Sequence, residues 1–339
     1  MTAEPSSANR LTLKFHDHKL LPLLFGQHDR NLARIEQKLK VTLACFGNTM
    51  EITGDNSTTP MAKAALEALY RRLEKADGAC AMDLGTVDAA VSWALNCSDP
   101  DGNPDLSRFE DHSATVETWK RPVAPRSPNQ HTYVRALLET ELVIGLGPAG
   151  TGKTYLAVAV AVSMLKRRAV DRLILSRPAV EAGERLGFLP GDMKDKVDPY
   201  LRPLYDALYD MMPGDQVERL LGNGEIEVAP LAFMRGRTLA NSFVILDEAQ
   251  NTTPTQMKMF LTRMGENSRM CVTGDLSQVD LPFGAKSGLR DSLTILANVR
   301  GVHITEFSAA DVVRHPLVTR IVNAYNKRES ALVDGRSSR

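Results

Sequence analysis

The chain reads as an α/β protein: a mostly parallel sheet flanked by helices, with a small α+β unit ahead of it. Three observations predict this. From Asn129 onward, short apolar runs alternate with helical segments, the pattern of βαβ units. One of those runs passes directly into a glycine-rich loop and then into an apolar helix. Ahead of them, residues 10–76 read as a small β-α-β-β-α unit.

The 339 residues suggest two domains. An apolar fraction of 43% and a charged fraction of 24% are those of an ordinary globular protein. Lys plus Arg and Asp plus Glu each number 41, so net charge points to neither membrane nor nucleic acid, although local basic patches remain open. The four cysteines, Cys45, Cys80, Cys97 and Cys271, show no C-x-x-C spacing. That argues against a zinc site or a disulfide framework and for a reducing cytoplasm. The first ten residues lack the charged-then-apolar layout of a signal peptide. The apolar run Tyr155 to Leu165 is too short for a bilayer, which needs about 20 residues, so no membrane association is expected.

Taken in order, residues 1–10 are a polar arm. Leu11 to Phe15 alternate as a strand, and Asp29 to Leu39 form a helix with Leu32, Ile35 and Leu39 on one face. Val41 to Phe46 and Thr49 to Thr53 read as a hairpin turning at Gly47-Asn48. A helix from about Met61 to Lys75 closes the unit near residue 76. Phe25 to Leu43, FGQHDRNLARIEQKLKVTL, resembles the core of a KH domain: Gly26, Leu32, Ile35 and Glu36 match I-G-x-x-G-x-x-I-x-x-I-E. The second glycine of that clamp is replaced by Asp29, whose charge repels phosphate. Arg30, Arg34, Lys38 and Lys40 make either a basic edge or a solvated helix face.

Residues 77–128 read as a connector, with a helix at Thr86 to Leu95, a loop at Ser98 to Asp105, and an extended basic stretch from Trp119 to Pro128. Prolines at 122, 125 and 128 exclude regular helix there. The second domain spans residues 129–328. Its strands are expected at Leu142 to Leu146, Leu173 to Ser176, Ile226 to Ala229, Phe243 to Leu246, Met270 to Thr273 and Val302 to Thr305. Ligands of such sheets sit at the carboxyl ends of the strands.

The first strand leads into GPAGTGKT: Gly147, Pro148, Ala149, Gly150, Thr151, Gly152, Lys153 and Thr154. This fits G-x-x-x-x-G-K-[ST] with strand and helix in the required places. The glycines let backbone N–H groups wrap a polyphosphate at a helix N-terminus. Lys153 reaches the β- and γ-phosphates, and the Thr154 hydroxyl ligates Mg²⁺. ATP and Mg²⁺ are the expected cofactors.

Two further strand ends carry chemistry. FVILDEAQ places Asp247 at a strand tip, where it holds Mg²⁺ through water, and Glu248 one residue on, where a general base for water belongs. MCVTGDLSQVDLP offers Gln278 as a γ-phosphate sensor and Asp275 as a water-orienting group or a turn cap; an ordinary turn explains the same residues. Upstream, Asn129-Gln130 stands one helix before the first strand, where Gln130 either reads adenine or merely starts the helix. Near the end, Asp311 to Tyr325 reads as a helix, with Arg314 an arginine finger or a salt-bridge partner. Residues 329–339 read as a disordered tail.

SRPAVEAGERLGFLPGDMKDKVDPYLRPLYDAL, Ser176 to Leu208, together with GPAGTGKT, LDEAQN and TGDLSQVDLP, resembles the PhoH family of P-loop ATPases, most of all its YbeZ type. The likeness covers about residues 10–330. It implies a RecA-like, superfamily 1 helicase-like core, ATP binding in the cytoplasm, a role in RNA metabolism and a YbeY-type endoribonuclease as partner. Read physically, residues 176–208 hold too many prolines and glycines for a long helix, and are expected as a surface loop over the strand ends or an irregular insertion. A superfamily 1 helicase uses two cores and this chain has one. A homo-oligomer in which a neighbour supplies the arginine, a hexameric ring among the options, is therefore expected. RNA remodelling, a nucleotide-dependent switch that binds a nuclease, and small-molecule phosphotransfer are the competing activities, and Glu248 beside Asp247 disfavours the last.

Overall fold

The computed structural model describes residues 9–75, 77–78, 82–99, 101–107, 109–178, 193–282, 284–312 and 321, without the side chains of 112 and 193–199. The expected helix at 311–325, with Arg314 and Pro316, and the tail lie outside the described residues, apart from 311, 312 and 321.

The N-terminal unit contains β1 (Asn9–Lys14), α1 (Leu21–Phe25), α2 (Arg30–Leu39), β2 (Thr42–Phe46), β3 (Thr49–Gly54) and α3 (Thr58–Lys75). Its antiparallel sheet has the order β1-β3-β2. Before α2 the chain turns through two left-handed residues, His28 at φ 53° and Asp29 at φ 55°. Asp29 thus stands in a conformation glycine favours. Glu36 accepts from the Leu43 N–H at 2.8 Å, tying α2 to the hairpin.

The boundary expected near residue 76 falls later. α4 (Leu84–Asn96) packs along α3, and its Val87, Ala90, Val91 and Trp93 join the same core, as do Leu106 and Phe109. The helix expected at Thr86 to Leu95 is therefore part of this unit and not of a connector. A bidentate contact from Arg34 to Asp88, at 2.7 and 2.9 Å, with Lys38 at 3.0 Å from Asp88, locks α2 to α4. Two of the four cations proposed as a basic edge are spent there.

The rest of the expected connector belongs to the second core. β4 (Val116–Glu117) pairs with β5 (Pro122–Val123), and Ala114, Val116 and Val123 are buried against the main body. Pro128 opens α5 (Pro128–Glu139) at a position where proline is at home, with the Ser127 hydroxyl accepting from the Gln130 N–H.

Then follow β6 (Leu142–Leu146), α6 (Lys153–Lys166), β7 (Arg172–Arg177), α7 (Met193–Met211), α8 (Gly214–Gly222), β8 (Ile226–Pro230), β9 (Ser242–Leu246), α9 (Pro254–Leu261), β10 (Arg269–Gly274), α10 (Gly288–Leu296) and β11 (Val302–Glu306). All six expected strands are present. They form one parallel sheet, β11-β6-β10-β9-β7-β8. Alternate residues serve opposite faces. Val143, Leu175, Ile245 and Cys271 meet α5, α6 and α7. Ile144, Ile174, Val244 and Val272 meet α9 and α10. α6 is buried from Leu156 to Leu165, as an all-apolar helix must be.

The surface loop expected over 176–208 is contradicted from Met193 on, where α7 runs for 19 residues; residues 179–192, with Glu181, Glu184 and Arg185, lie outside the described residues. Leu201, Leu204, Leu208 and Met211 repeat at helical spacing and are buried. Each contributes about 1.5–3 kcal/mol, which outweighs about 3 kcal/mol for each of Pro199 and Pro203. Pro203 lies on the exposed face of α7. No helix among the described residues is long and apolar enough to cross a membrane.

Candidate functional site

The site lies at the carboxyl ends of β6, β9 and β10, where the strand order places β10 between the other two. The loop after β6 bends away at Gly147, whose φ is 139° and whose missing Cβ would lie 2.5 Å from the Phe307 carbonyl oxygen. Only glycine fits there. Gly152, at φ 81°, opens α6, whose N-terminus faces the loop's interior. Lys153 is 9% exposed and its Nζ donates to the carbonyls of Gly147 and Pro148 at 2.7 and 2.9 Å, closing the loop around its ammonium. Thr151 is buried and donates to the Pro148 carbonyl at 3.0 Å.

Thr154 and Asp247, 93 residues apart in sequence, meet: the Thr154 hydroxyl donates to Asp247 Oδ1 at 2.6 Å. Thr273, at the end of β10, donates to the same oxygen at 2.7 Å. A hydroxyl and a carboxylate converging beside a lysine-bearing phosphate loop are the donor set of a magnesium ion, and the residues fit that cation. Thr273 was not singled out from sequence. Period-two counting along β10 places its side chain on the same face as Cys271, which marks the direction but not the partner.

Glu248 follows with a left-handed backbone, φ 53°, which turns its side chain off the strand direction and into the mouth of the site. Gln250 holds it there, donating to Glu248 Oε2 at 2.5 Å and to the Gln278 carbonyl at 3.1 Å, while its Oε1 accepts from the Asp275 N–H at 3.0 Å. Arg177, at the end of β7, lies 3.4 Å from Glu248 Oε1 and donates to the Tyr200 carbonyl of α7 at 3.0 Å. Gln250 and Arg177, like Thr273, are residues that sequence reasoning missed. Gln250 stood inside LDEAQN, but nothing in the spacing says that its amide joins two strand ends.

Asp275 caps its turn, accepting from the Ser277 N–H and hydroxyl at 2.9 and 2.6 Å and from Gln278 Nε2 at 2.7 Å. Gln278 therefore lines the site on a braced turn. Gln130 is tied to the backbone on both sides. It is 4% exposed, and its amide bridges the Arg126 N–H at 2.7 Å and the Thr151 carbonyl at 3.0 Å. Its amide thus holds the phosphate loop to the incoming chain. Asn129 donates to buried Asp311 at 2.9 Å. Arg314 cannot be placed relative to the site, since it lies outside the described residues.

These groups line one cavity of about 250 Å³, which takes in Ala149, Gly150, Gly152, Lys153, Thr154, Asp247, Glu248, Asp275 and Gln278. Lys153 and Asp247 thus face the same space, as a polyphosphate with its metal requires. Beneath it, burial pushes the Cys271 thiol up to about 12 while its contact with the Tyr133 hydroxyl pulls the other way, so this cysteine packs and does not react.

Comparisons with known proteins identify the family. A family model described as PhoH-like protein matches residues 122–326. A PhoH-like protein of Bacillus subtilis (strain 168) is 46% identical over 305 residues, covering 90% of this chain and 93% of the relative. One of Mycobacterium tuberculosis (strain ATCC 25618 / H37Rv) is 46% identical over 314 residues, covering 90% and 85%. Protein PhoH of Escherichia coli (strain K12) is 45% identical over 207 residues, 60% of this chain and 58% of its own. Among solved structures, the Sulfolobus solfataricus SWI2/SNF2 ATPase core in complex with dsDNA shares 14% identity over 53% of this chain and 44% of its own at a TM-score of 0.31, too slight a likeness to bear on function. A P-loop site built on a parallel sheet, matched by a family model over most of that sheet and by relatives along nearly the whole chain, places this protein in the PhoH-like family.

Proposed function

We propose that the chain binds ATP with Mg²⁺ and hydrolyses it. The observation that carries this reading is the meeting of Thr154 with Asp247 at 2.6 Å in a cavity that Lys153 and Glu248 also line. The loop N–H groups and Lys153 offset phosphate charge. Thr154 and Asp247 would hold the magnesium ion, which would supply charge neutralisation on the phosphates. Glu248 takes the proton that water gives up as its oxygen bonds the terminal phosphorus and the bond to ADP breaks. Gln278 sits where loss of the terminal phosphate is felt by the turn that Gln250 ties to Glu248.

Lys153→Ala is expected to abolish ATP binding. Glu248→Gln is expected to keep the affinity and lower turnover by about 10²-fold or more. Normal turnover in Glu248→Gln removes the general-base role. Label from [γ-³²P]ATP is expected only in free phosphate, and transfer to a small molecule would replace hydrolysis with phosphotransfer.

The ATPase is proposed to serve RNA metabolism, with an endoribonuclease of the YbeY type as partner and a homo-oligomer as the working form; family resemblance supports these points. RNA-stimulated turnover supports remodelling of RNA. The alternative, a nucleotide-dependent switch on a nuclease, draws on Arg177, which links the Tyr200 carbonyl of α7 to Glu248. Stimulation by the protein partner without RNA selects that reading.

A further inference from the structure

A second, larger cleft of about 650 Å³ adjoins the site. Gly150, Gly152 and Tyr155 line both cavities, so the two spaces meet along the phosphate loop. The far wall of the cleft is not part of the ATPase core: Asp83, Gly85 and Thr86 at the start of α4 form it, facing the Arg121–Arg126 segment. We propose that the nucleoside half of the bound nucleotide occupies this cleft, so that the N-terminal unit supplies one wall of the nucleotide site. This rests on the nucleotide-binding reading above and adds to it where the base and ribose go.

Size and chemistry both support the assignment. A cavity of about 250 Å³ suits a triphosphate with its metal and leaves the nucleoside outside, whereas the cleft falls within the size of small-ligand pockets, about 300–1,000 Å³. The Arg126 guanidinium lies against the backbone of Gly85, where a Cβ would stand 3.1 Å from its Cζ. It donates no hydrogen bond among the described residues, and it offers a planar cationic surface on which a purine stacks. Opposite the core, the Asp83 carboxylate caps α4 through the Thr86 N–H and hydroxyl, both at 2.7 Å, and brings a fixed hydrogen-bond acceptor to the same wall. On the core side Arg121 donates to the Tyr155 hydroxyl at 2.9 Å and also pairs with Asp210, bracing the rim next to the loop. Gln130 also lines the cleft from the core side, its amide tying the Arg126 N–H to the Thr151 carbonyl.

The test measures affinities of the full chain for ATP and for inorganic tripolyphosphate by calorimetry, in wild type, Lys153→Ala, Gly85→Trp and Arg126→Ala. Gly85→Trp fills the cleft and is expected to weaken ATP by about tenfold or more while tripolyphosphate stays within about twofold. Arg126→Ala, an exposed change that keeps its backbone bond to Gln130, is expected to weaken ATP by about three- to tenfold with tripolyphosphate again unchanged. It carries the test if circular dichroism shows Gly85→Trp unfolded. Unchanged ATP affinity in the folded cleft variants, with Lys153→Ala still defective, overturns the cleft assignment and leaves the nucleotide reading standing. Loss of single-stranded RNA binding with ATP affinity intact overturns it in favour of RNA. Failure of the wild type to bind either phosphate ligand removes the nucleotide reading itself.

Discussion

Gln250 shows how much of this site is decided by single side chains that touch no phosphate. Its amide joins the carboxylate of Glu248 to the turn after β10, with each end spoken for. Removing it leaves Glu248 held by Arg177 alone, drawn toward β7, and leaves the buried Asp275 turn without the partner of its N–H. Gln250→Ala is expected to lower kcat by about 10- to 100-fold with ATP affinity unchanged, because a base held loosely reaches its water less often. Steady-state turnover beside direct binding separates the two quantities, and an unchanged kcat assigns Gln250 to packing. Asp247, Glu248, Lys153 and Thr154 were all legible from their motifs. Thr273, Arg177 and Gln250 were not, because each acts through a partner on another strand and no local spacing announces it.

At the scale of elements, the α2–α4 junction turns on Asp88. Burial pushes its carboxyl up, but the hydrogen bonds from Arg34 and Lys38 and their charges outweigh that and hold it below the ordinary carboxylate range. A depressed carboxylate stabilises the fold above its unfolded value of about 3.9, and the contribution is lost as pH falls through the folded value. Asp88→Ala is therefore expected to cost about 1 kcal/mol between about pH 5 and 8, the modest size reflecting partial exposure, and progressively less below. Urea unfolding of both proteins across that range measures it, and a cost that grows on acidification contradicts the pairing. The same scale holds the clearest misreading. Counting prolines and glycines through 176–208 argued for a loop, but Leu201, Leu204, Leu208 and Met211 bury enough apolar surface to carry a helix through Pro203. Propensity is local and small, whereas burial against α6 and the sheet is neither.

For the molecule as a whole, two cores meet with Trp93 of α4 edge-on to His131 of α5, ring centroids 5.8 Å apart. The division falls between Phe109 and Ala114. A chain begun at Asp111 is expected to fold cooperatively, retaining the β4–β5 ribbon over α6. A chain begun at Asn129 loses Ala114, Val116, Val123 and the Ser127 cap, and is expected to be less stable by about 3–6 kcal/mol. Denaturant midpoints of the two shortened chains decide it, and equal stabilities would return the β4–β5 ribbon to the connector. Under the proposed cleft assignment, a nucleotide bridging the two cores would report its presence to the N-terminal unit.

The sequence alone determined the parallel sheet, all six of its strands, and the phosphate loop with its lysine, threonine and acidic pair. Those features are written in local patterns: apolar runs of strand length, glycines at set intervals, carboxylates at strand tips. Only the tertiary structure decided which residues share an oxygen of Asp247, where Gln130 and Gln250 direct their amides, where the first core ends, and that α7 is a helix. Each of those depends on contacts between segments tens of residues apart, where burial and hydrogen bonding across strands outweigh anything a neighbouring residue can signal.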